Sequence, residues 1–258
     1  MNRFKTNKSL GQHFLTDHAV ISQIIESIDS IDKKNIIEIG PGTGNLTKQL
    51  LYYAKSVTAI EKDKRLIPTL NQIKLENPNT FNFHMADAIN YNFNEIIKDS
   101  HNSIIVSNLP YNVGTAIFLN LLKYIDLYQY AILMFQTEVA NRITASVGNK
   151  CYGRLSVISN IVASTQKLFD VPATAFTPAP KVSSSVIQVA YTPHQYNAEF
   201  MKKLQTVTQL CFSMRRKVIK NTLKKYNIDY EGLNINPNAR AEELTLQDYI
   251  VITNHIKL

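Results

Sequence analysis

The sequence predicts an α/β fold: a doubly wound, mostly parallel sheet followed by a small α-helical domain. Two observations lead to this fold class. Short apolar runs alternate with helical stretches, and after Thr192-Pro193 the pattern becomes helical alone. In addition, acidic or amide residues repeatedly follow the predicted strands, at the edge where such sheets bind ligands. We therefore expect a Rossmann-like domain at residues 1–192 and a helical domain at residues 193–258.

The first predicted elements surround a glycine-rich loop. Residues 35–39 are a short apolar run, as expected of a strand buried in a parallel sheet, and they lead into the loop at residues 40–44. The loop opens a predicted helix at residues 45–53. Residues 56–60 form the second predicted strand, which ends at Glu61. This order of strand, loop, helix and strand is typical of a βαβ unit.

The later strands continue the pattern. Residues 81–85 precede Asp87, and residues 103–107 precede Asn108. Two more strands, an apolar run and an alternating segment rich in β-branched residues, are predicted at residues 130–135 and 184–191. Because the carboxyl ends of parallel strands share one edge of a sheet, these polar side chains are expected to lie near one ligand site.

Composition restricts the classes of protein to be considered. With 258 residues and 45% hydrophobic content, the chain suits one α/β domain with a smaller appendage. It contains no apolar run of membrane-spanning length, and its first residues are polar and basic, unlike a secretory signal. Cys151 and Cys211 give no disulfide framework and no metal-ligand cluster, so we expect a cytoplasmic protein without a metal. The net charge of +8 favours a polyanionic partner without identifying it.

The segment Glu38-Ile39-Gly40-Pro41-Gly42-Thr43-Gly44 allows a ligand to approach the backbone closely. Its G-x-G-x-G spacing differs from the G-x-G-x-x-G of dinucleotide-binding folds. Glu61 can accept hydrogen bonds from both ribose hydroxyls, and Asp87 can read an adenine amino group between Ile60 and Ala88. These positions match the S-adenosylmethionine site of class I methyltransferases better than an NAD site, and the carboxylates suit a sulfonium cation. The alternative is a plain strand-to-helix turn with a helix-capping carboxylate.

Asn108-Leu109-Pro110-Tyr111 is typical of a site that presents an amine to a methyl donor. The Asn108 side chain and the Leu109 backbone, held extended by Pro110, offer two carbonyl acceptors, and Tyr111 offers a stacking face. Accepting both N–H hydrogens of an adenine N6 amine re-localises its lone pair, which is otherwise delocalised into the ring. The transfer then depends mainly on alignment, which is worth roughly 7–11 kcal/mol. The alternative is a strand that ends in a proline turn.

Phe176-Thr177-Pro178-Ala179-Pro180-Lys181-Val182 is a second segment with a possible role at the base site. Its prolines stiffen the loop, so Phe176 can stack on the other face of the base, an interaction worth about 1–3 kcal/mol. A phenylalanine before prolines is also a common core residue, and the sequence leaves both interpretations open.

Residues 202–225 contain eight Lys or Arg residues and no Asp or Glu. Apolar residues recur at helical spacing and are expected to face the core, at Val207, Leu210, Cys211, Met214 and Val218. Nearby cations are suited to phosphate contacts, at Arg215, Arg216, Lys217, Lys220 and Lys224. We predict an RNA-contacting surface here; the alternative is a solvated helix face. A smaller cluster, Arg3, Lys5 and Lys8, precedes residues 9–15, a segment that can fold over the cofactor.

Several blocks that occur in one order along nearly the whole chain match a known family. They are Ser9-Leu10-Gly11-Gln12-His13-Phe14-Leu15, the glycine segment, Asn108 to Tyr111, Tyr152-Gly153-Arg154-Leu155-Ser156, Phe176 to Val182, Arg215-Arg216-Lys217 and Arg240-Ala241-Glu242. Through them the chain resembles the small-subunit (16S) ribosomal RNA adenine N6,N6-dimethyltransferase family, which is similar to the erythromycin-resistance methylases. The glycine loop belongs to a whole superfamily, whereas the other blocks are specific.

The resemblance implies transfer of four methyl groups from S-adenosylmethionine to two adjacent adenines in a hairpin near the 3′ end of small-subunit rRNA. It implies a role in small-subunit biogenesis and RNA binding by residues 193–258, and we expect a monomer. The expected cofactor residues are His13, Leu15, Gly40, Gly42, Glu61, Asp87 and Asn108. The expected catalytic residues are Asn108, Leu109, Pro110, Tyr111 and Phe176, and the expected RNA-binding residues are Arg215, Arg216, Lys217 and Lys220. Position 13 is often Asn in the family.

Three other functions share some of these features. A large-subunit rRNA methylase of the resistance type would have the same cofactor site, but the segment at residues 176–182 and the cations at residues 215–217 favour the small-subunit branch. A DNA adenine methylase is weakened by the absence of a recognisable sequence-reading domain. A ribosome-assembly binding factor, with methylation secondary, is the alternative from a different class.

Overall fold

The computed structural model describes residues 11–257. The strands are β1 (Phe14–Leu15), β2 (Asn35–Ile39), β3 (Ser56–Glu61), β4 (Phe81–Met85), β5 (Ser103–Asn108), β6 (Tyr130–Gln136), β7 (Ala163–Val171), β8 (Phe176–Thr177) and β9 (Ser184–Tyr191). The helices are α1 (His18–Glu26), α2 (Asn45–Tyr53), α3 (Ile67–Glu76), α4 (Gly114–Leu121), α5 (Thr137–Ile143), α6 (Arg154–Asn160), α7 (Ala198–Ser213), α8 (Ile219–Thr222) and α9 (Leu246–His255). The predicted basic cluster at Arg3, Lys5 and Lys8 lies outside the described residues, as do positions 9 and 10.

The main sheet has the strand order β4-β3-β2-β5-β6-β9-β7. Strands β2 to β6 pair in parallel, whereas β9 runs antiparallel to β6. The chain starts in the sheet at β2, proceeds through β3 to β4, and then returns to the other side of β2 as β5. The order therefore reverses between β2 and β5, where a hydrogen bond from Ser107 Oγ to the Ile39 carbonyl (2.7 Å) joins the two strand ends. In sheets of this kind the ligand lies at the carboxyl edge beside such a reversal.

The predicted α/β class is confirmed, and the predicted strands agree closely with the observed ones. Strands β2, β4 and β9 have the predicted bounds, as does helix α2. Strands β3, β5 and β6 each extend one residue beyond the prediction, to Glu61, Asn108 and Gln136. Strand β7 and the small antiparallel pair formed by β1 and β8 were not predicted.

Internal contacts divide the chain into two compact units. The first unit comprises residues 11–140 and 166–191, and the second comprises residues 141–165 and 192–257. In the second unit, α6 packs against α7 and α9. The buried Tyr152 hydroxyl donates to the Leu244 carbonyl (3.1 Å). Residues 141–165, which the sequence analysis placed in the domain at residues 1–192, thus contact the C-terminal helices.

The helix predicted through the basic segment ends earlier than expected. Val207 and Cys211 are buried as predicted, but α7 ends at Ser213 and Met214 is 48% exposed, so that part of the prediction is wrong. Residues 214–217 form a turn, closed by a hydrogen bond from Lys217 N to the Met214 carbonyl (2.8 Å). A β-bridge between Val218 and Arg240 then diverts the chain from the helical path. We call residues 214–217 the basic turn.

In the described part of the chain, we find no helix with the length and apolar character needed to cross a membrane.

Candidate active site

A cavity of about 320 Å³ lies at the carboxyl edge of the parallel strands. This volume falls in the range of sites for cofactor-sized ligands. The predicted residues that line it are His13, Gly40, Gly42, Glu61, Asp87, Asn108, Leu109, Pro110 and Tyr111. The fold thus brings together side chains from the end of β3, from the segments after β2, β4 and β5, and from the segment preceding β1.

Glu61 is the most constrained carboxylate in this cavity. Its Oε1 accepts from the backbone N–H groups of Lys62 (2.8 Å) and Asp63 (2.7 Å), and its Oε2 accepts from Gly42 N–H (3.3 Å). Burial raises the pKa of Glu61, while these backbone bonds act in the opposite direction. The two oxygens offer about four acceptor sites, and the three backbone donors leave Oε2 with capacity for a further donor. A carboxylate held in this way can accept from a hydroxyl group without losing its orientation.

Asp87 has a partner that the sequence analysis missed. Lys62 Nζ donates to Asp87 Oδ2 (2.7 Å), and the Ile89 N–H donates to Oδ1 (3.1 Å). The hydrogen bond with Lys62 keeps the pKa of Asp87 below its usual range. Both groups are partly exposed, with Lys62 at 58% and Asp87 at 35% side-chain exposure. An adenine amino group at this position would therefore share Asp87 with Lys62.

Gly40 and Gly42 of the glycine loop occupy positions where a side chain would obstruct either the cavity or a neighbouring segment. Gly40 has φ +71°, and a Cβ placed there would meet no atom within 4 Å, so the added atom would project into open space beside the cavity. Gly42 has φ +56°, and a Cβ there would lie 2.8 Å from the Phe14 ring. Both positions therefore require glycine, the first for ligand access and the second for the segment that lies over the loop.

That overlying segment is residues 11–15, which we call the strap. Strand β1, at its end, pairs with β8, so Leu15 is opposite Phe176. Asn45 Nδ2 donates to the Leu15 carbonyl (2.8 Å), which ties the strap to the start of α2. The Leu15 side chain is buried at 4% exposure and borders a smaller cavity beside the glycine loop. The strap is thus held against the elements that form the cavity.

Asn108 is oriented by the strap. Its Nδ2 donates to the backbone carbonyl of His13 (2.9 Å), which assigns the amide because a carbonyl can only accept. This bond uses the nitrogen and leaves Oδ1 as the acceptor of the amide. Leu109 follows with its N–H bonded to the Met134 carbonyl (3.3 Å). Asn108 and Leu109 are therefore both held by hydrogen bonds in the cavity wall, and the use of their carbonyl oxygens as a pair of acceptors stays a prediction.

Tyr111 and His13 form a stacked pair beside these acceptors. Their ring centroids are 5.2 Å apart at an interplanar angle of 29°. The Tyr111 hydroxyl hydrogen-bonds to Ser184 Oγ (2.6 Å), and burial raises the pKa of Tyr111. His13 Nδ1–H donates to the Pro178 carbonyl (2.7 Å). His13 therefore connects Asn108, Tyr111 and the loop at Pro178. The sequence did not reveal this role.

Phe176 lies in the hydrophobic core. It is 3% exposed and belongs to the same buried cluster as Leu15, Ala175 and Val186. It is not part of the described lining of the 320 Å³ cavity. This position corresponds to the core interpretation that the sequence left open, and stacking of Phe176 on a base stays a prediction.

Glu38 is a buried acid that the sequence analysis did not single out. It is 2% exposed, and its Oε2 has no hydrogen-bond partner among the described residues. Burial raises the pKa of Glu38 to about 8, against an opposing effect of the Thr47 hydroxyl and with a smaller contribution from the Glu61 charge. It borders the smaller cavity together with Gly40 and Asn108. Its place immediately before the glycine loop was the available signal, since a buried carboxyl there needs a donor from a ligand or water.

The predicted RNA-binding cations lie in the second unit. Arg215, Arg216 and Lys217 are exposed in the basic turn, and Lys220 is exposed on α8. Arg215 donates to Glu242 (3.0 Å), and both side chains are partly exposed. These four cations are close in sequence and oriented by few contacts, in contrast to the groups around the cavity.

A parallel sheet with this order, a glycine loop after β2, a carboxylate at the end of β3 and an Asn-x-Pro-Tyr segment after β5 define a class I methyltransferase. Two solved structures share this fold. A dimethyladenosine transferase from Plasmodium falciparum has a TM-score of 0.77 at 24% identity, covering 95% of this chain and 99% of that one. The 23S rRNA methyltransferase ErmE has a TM-score of 0.70 at 22% identity, covering 94% and 99%.

Sequence comparisons identify the family. The model of the ribosomal RNA adenine dimethylase family matches residues 3–258, and the chain belongs to this family. It is 35% identical over 257 residues to the ribosomal RNA small subunit methyltransferase A of Saccharophagus degradans, covering 98% of this chain and 96% of that protein. It is 40% identical over 256 residues to the protein of the same name from Bartonella bacilliformis, covering 97% and 92%.

The residues present fit the cofactor of this class, S-adenosylmethionine. Glu61 provides a fixed carboxylate acceptor, Gly40 leaves open space beside the backbone, and Glu38 presents a buried carboxyl oxygen without a hydrogen-bond partner among the described residues. Carboxylates on the cavity wall also suit a cationic ligand. As a member of its family, the protein is an S-adenosylmethionine-dependent rRNA adenine dimethyltransferase.

Proposed function

We propose that this protein dimethylates the N6 amines of two adjacent adenines in the 3′-terminal hairpin of 16S rRNA. We propose further that it acts on the small ribosomal subunit, in the cytoplasm and as a monomer, during subunit biogenesis. The full-length similarity to proteins named ribosomal RNA small subunit methyltransferase A supports this substrate. The observation that carries the chemistry is the orientation of Asn108, whose Nδ2 is bound to the strap while Oδ1 remains to accept.

The part of the cavity around Glu61 and Asp87 is the proposed site of S-adenosylmethionine, which would supply the methyl group carried on its sulfonium sulfur. In this proposal Glu61 accepts from the ribose hydroxyls, and Asp87 accepts from the adenine amino group of the cofactor. His13, Leu15, Gly40, Gly42 and Asn108 complete the site through backbone or side-chain contacts. Because Glu61 is held by three backbone donors, binding requires little reorganisation of the carboxylate.

The base half of the cavity orients the target amine. Asn108 Oδ1 and the Leu109 carbonyl accept its two hydrogens, Pro110 keeps the backbone extended, and Tyr111 stacks on the ring. Phe176 is the predicted second stacking residue. Held in this way, the amine nitrogen would face the methyl group that bound S-adenosylmethionine would supply, and it would release one proton to solvent for each methyl group gained. In the second transfer only one N–H remains, so the two acceptors cannot both be used.

The four cations at positions 215, 216, 217 and 220 are proposed to contact rRNA phosphates. All four are exposed, and residues 202–225 carry no acidic side chain. Binding of this kind releases counterions and weakens as the salt concentration rises.

The test uses small subunits from a bacterial strain that lacks adenine dimethylation. The protein is incubated with them and labelled S-adenosylmethionine, and the label is mapped by nuclease digestion and mass spectrometry. We expect dimethyladenosine at two adjacent positions of the 3′-terminal hairpin. The variant Asn108→Ala is expected to form the product about 100-fold more slowly, whereas Asn94→Ala, a change of the same kind at an exposed site, is expected to retain the wild-type rate.

Other results would favour the other functions. Label only on large-subunit RNA, offered in a parallel reaction, would replace the proposal with a resistance-type methylase. Subunit binding without label on either RNA would replace it with an assembly factor. If Asn108→Ala binds subunits normally, and a strain carrying it behaves like a deletion strain, a separate binding role loses support.

A further inference from the structure

Gln12, Asp63 and Arg65 form a polar cluster at one end of the cavity that the reaction described above does not use. Gln12 Nε2 donates to Asp63 Oδ2 (2.8 Å). Arg65 donates to the same carboxylate through Nε to Oδ1 (2.9 Å) and through Nη2 to Oδ2 (2.5 Å). Arg65 Nη2 also lies 3.4 Å from Gln12 Oε1. We call this cluster the latch.

The Asp63 carboxylate is more than a helix cap. Oδ1 accepts from the Arg65 N–H (3.1 Å), which is the bond expected of a residue that begins a short helix. Capping requires only that oxygen, yet Oδ2 is bound across a sequence separation of 51 residues to Gln12. The Asp63 side chain is only 5% exposed, while Arg65 keeps 45% exposure. The hydrogen bonds from Arg65 lower the pKa of Asp63, so the carboxylate is charged at neutral pH.

The latch touches the cofactor site at two points. Gln12 belongs to the strap and lines the cavity. The backbone N–H of Asp63 donates to Glu61 Oε1 (2.7 Å), so the residue that holds the strap also orients the predicted ribose carboxylate. The rest of the strap, residues 13–15, is held separately, through the bond from Asn108 to the His13 carbonyl, the bond from His13 to Pro178 and the pairing of β1 with β8.

We propose that Asp63 is a positioning residue that holds the Gln12 end of the strap closed over bound S-adenosylmethionine or S-adenosylhomocysteine and thereby limits their exchange. The inference rests on the proposed function, because four methyl transfers on one RNA require the spent cofactor to be replaced several times. Opening at residues 11–12 exchanges the cofactor, while residues 13–15 stay bound and keep Asn108 and Tyr111 arranged for the target base.

The test measures cofactor dissociation from the full-length protein without RNA. Tritiated S-adenosylmethionine is bound, chased with excess unlabelled S-adenosylhomocysteine, and followed by rapid filtration for wild type, Gln12→Ala, Asp63→Asn and the double variant. Hydrogen bonds to charged groups contribute more free energy than those between neutral groups. We therefore expect each single change to speed dissociation by about tenfold or more. Because both residues act through one contact, the double variant should be no faster than the faster single variant.

Asp99→Asn is the matched control. Asp99 also accepts from two backbone N–H groups, but it precedes β5, at the opposite edge of the sheet. Thermal unfolding is recorded for every variant. A lower melting temperature in Asp63→Asn with unchanged dissociation would reduce Asp63 to a helix cap, and multiplicative effects in the double variant would show that no latch exists.

The dissociation experiment and the rRNA labelling experiment can fail independently of each other. The dissociation experiment contains no RNA, so a negative result leaves the assignment of the rRNA substrate intact. Conversely, absence of label on small-subunit RNA would remove the reason for repeated exchange without changing the measured dissociation rates.

Discussion

Charged side chains are held differently in two regions of the molecule, the cavity at the sheet edge and the basic turn of the second unit. Glu61 in the cavity is 7% exposed and accepts three backbone hydrogen bonds. Arg215 in the basic turn is 55% exposed, and its ion pair is with the partly exposed Glu242. An exposed pair of that kind contributes about 0–1 kcal/mol.

The difference agrees with the role proposed for each region. Methyl transfer needs atoms at defined positions, because a misplacement of about 1 Å can reduce a rate by about 100-fold. Binding to a phosphate backbone depends mainly on the number of cations, because much of the free energy comes from released counterions. A fixed carboxylate and exposed cations are therefore each suited to the proposed role. Substitutions in the two regions should differ in kind as well as in size.

The largest effect is expected for Phe176→Ala. Since Phe176 is buried in the core cluster, its truncation should lower the free energy of unfolding by about 3–5 kcal/mol, as measured by denaturant titration. Phe176→Leu retains apolar volume and should recover most of that stability. If Phe176→Leu is stable and loses methylation by about 10- to 100-fold, the residue stacks on the base during the reaction. If it is stable and fully active, Phe176 is a core residue alone.

Asn108→Ala should come next. It removes the Oδ1 acceptor, and we expect kcat to fall by about 100-fold with a small change in the Kd of S-adenosylmethionine. Single-turnover methylation and calorimetric binding of the cofactor measure the two quantities. Products should be resolved by mass spectrometry, because loss of one acceptor should affect the first transfer, which has two N–H hydrogens, more than the second. Equal loss of cofactor affinity and rate would assign Asn108 to cofactor binding instead.

Ionisation of Glu38, in the cavity region, should make the free energy of unfolding depend on pH. Its pKa is about 8 in the folded protein, against a value of 4.5 for an unperturbed glutamate. The folded state therefore holds a proton that the unfolded state releases between these values. The contribution of Glu38 to the free energy of unfolding is therefore complete below pH 4.5 and is lost as the pH rises to 8. Relative to Glu38→Gln, wild type should lose up to about 1.4 kcal/mol per pH unit in this window. Parallel denaturation curves of the two proteins from pH 5 to 8 would contradict the burial argument.

The smallest effect per residue is expected for the exposed cations of the basic turn and of α8. The triple change of Arg216, Lys217 and Lys220 to alanine should weaken RNA binding by roughly tenfold and reduce the slope of log K against log salt by about two to three. Melting temperature and cofactor affinity should be unchanged. Lys98→Ala, which removes an exposed cation of the first unit, is the control. An unchanged salt slope in the triple variant would move the RNA surface elsewhere.

The sequence predicted those parts of the fold that depend on local pattern. Strand β2 and helix α2 have their predicted bounds because an apolar run and glycines mark both sides of the loop. Strand β7 was missed because its polar middle, Ser164 to Lys167, carries no apolar run. The two-residue strands β1 and β8 are too short to show a period. The early end of α7 depends on the bridge from Val218 to Arg240, a contact that helical spacing cannot reveal.

The site was predictable to a similar degree. Residues at strand ends were found because the carboxyl edge of the sheet collects them, and the fold brings Glu61, Asp87 and Asn108 to one cavity. The partners of those residues were not found. Lys62 on Asp87 and the His13 carbonyl on Asn108 are contacts between segments with no common pattern. The roles of the individual residues in cofactor, base and RNA binding stay predictions.

The pairing of Phe14 with Thr177 and of Leu15 with Phe176 has a consequence for synthesis of the chain. During translation, the strap leaves the ribosome long before β8 exists. Translation proceeds at about 5–20 residues per second, so roughly 8–32 seconds pass before the two strands can meet. A nascent chain can form the neighbouring strands β2 to β5 in that time. It cannot pair β1 with β8 until residues 176–177 have been made, so this attachment of the strap is among the last contacts of the first unit to form.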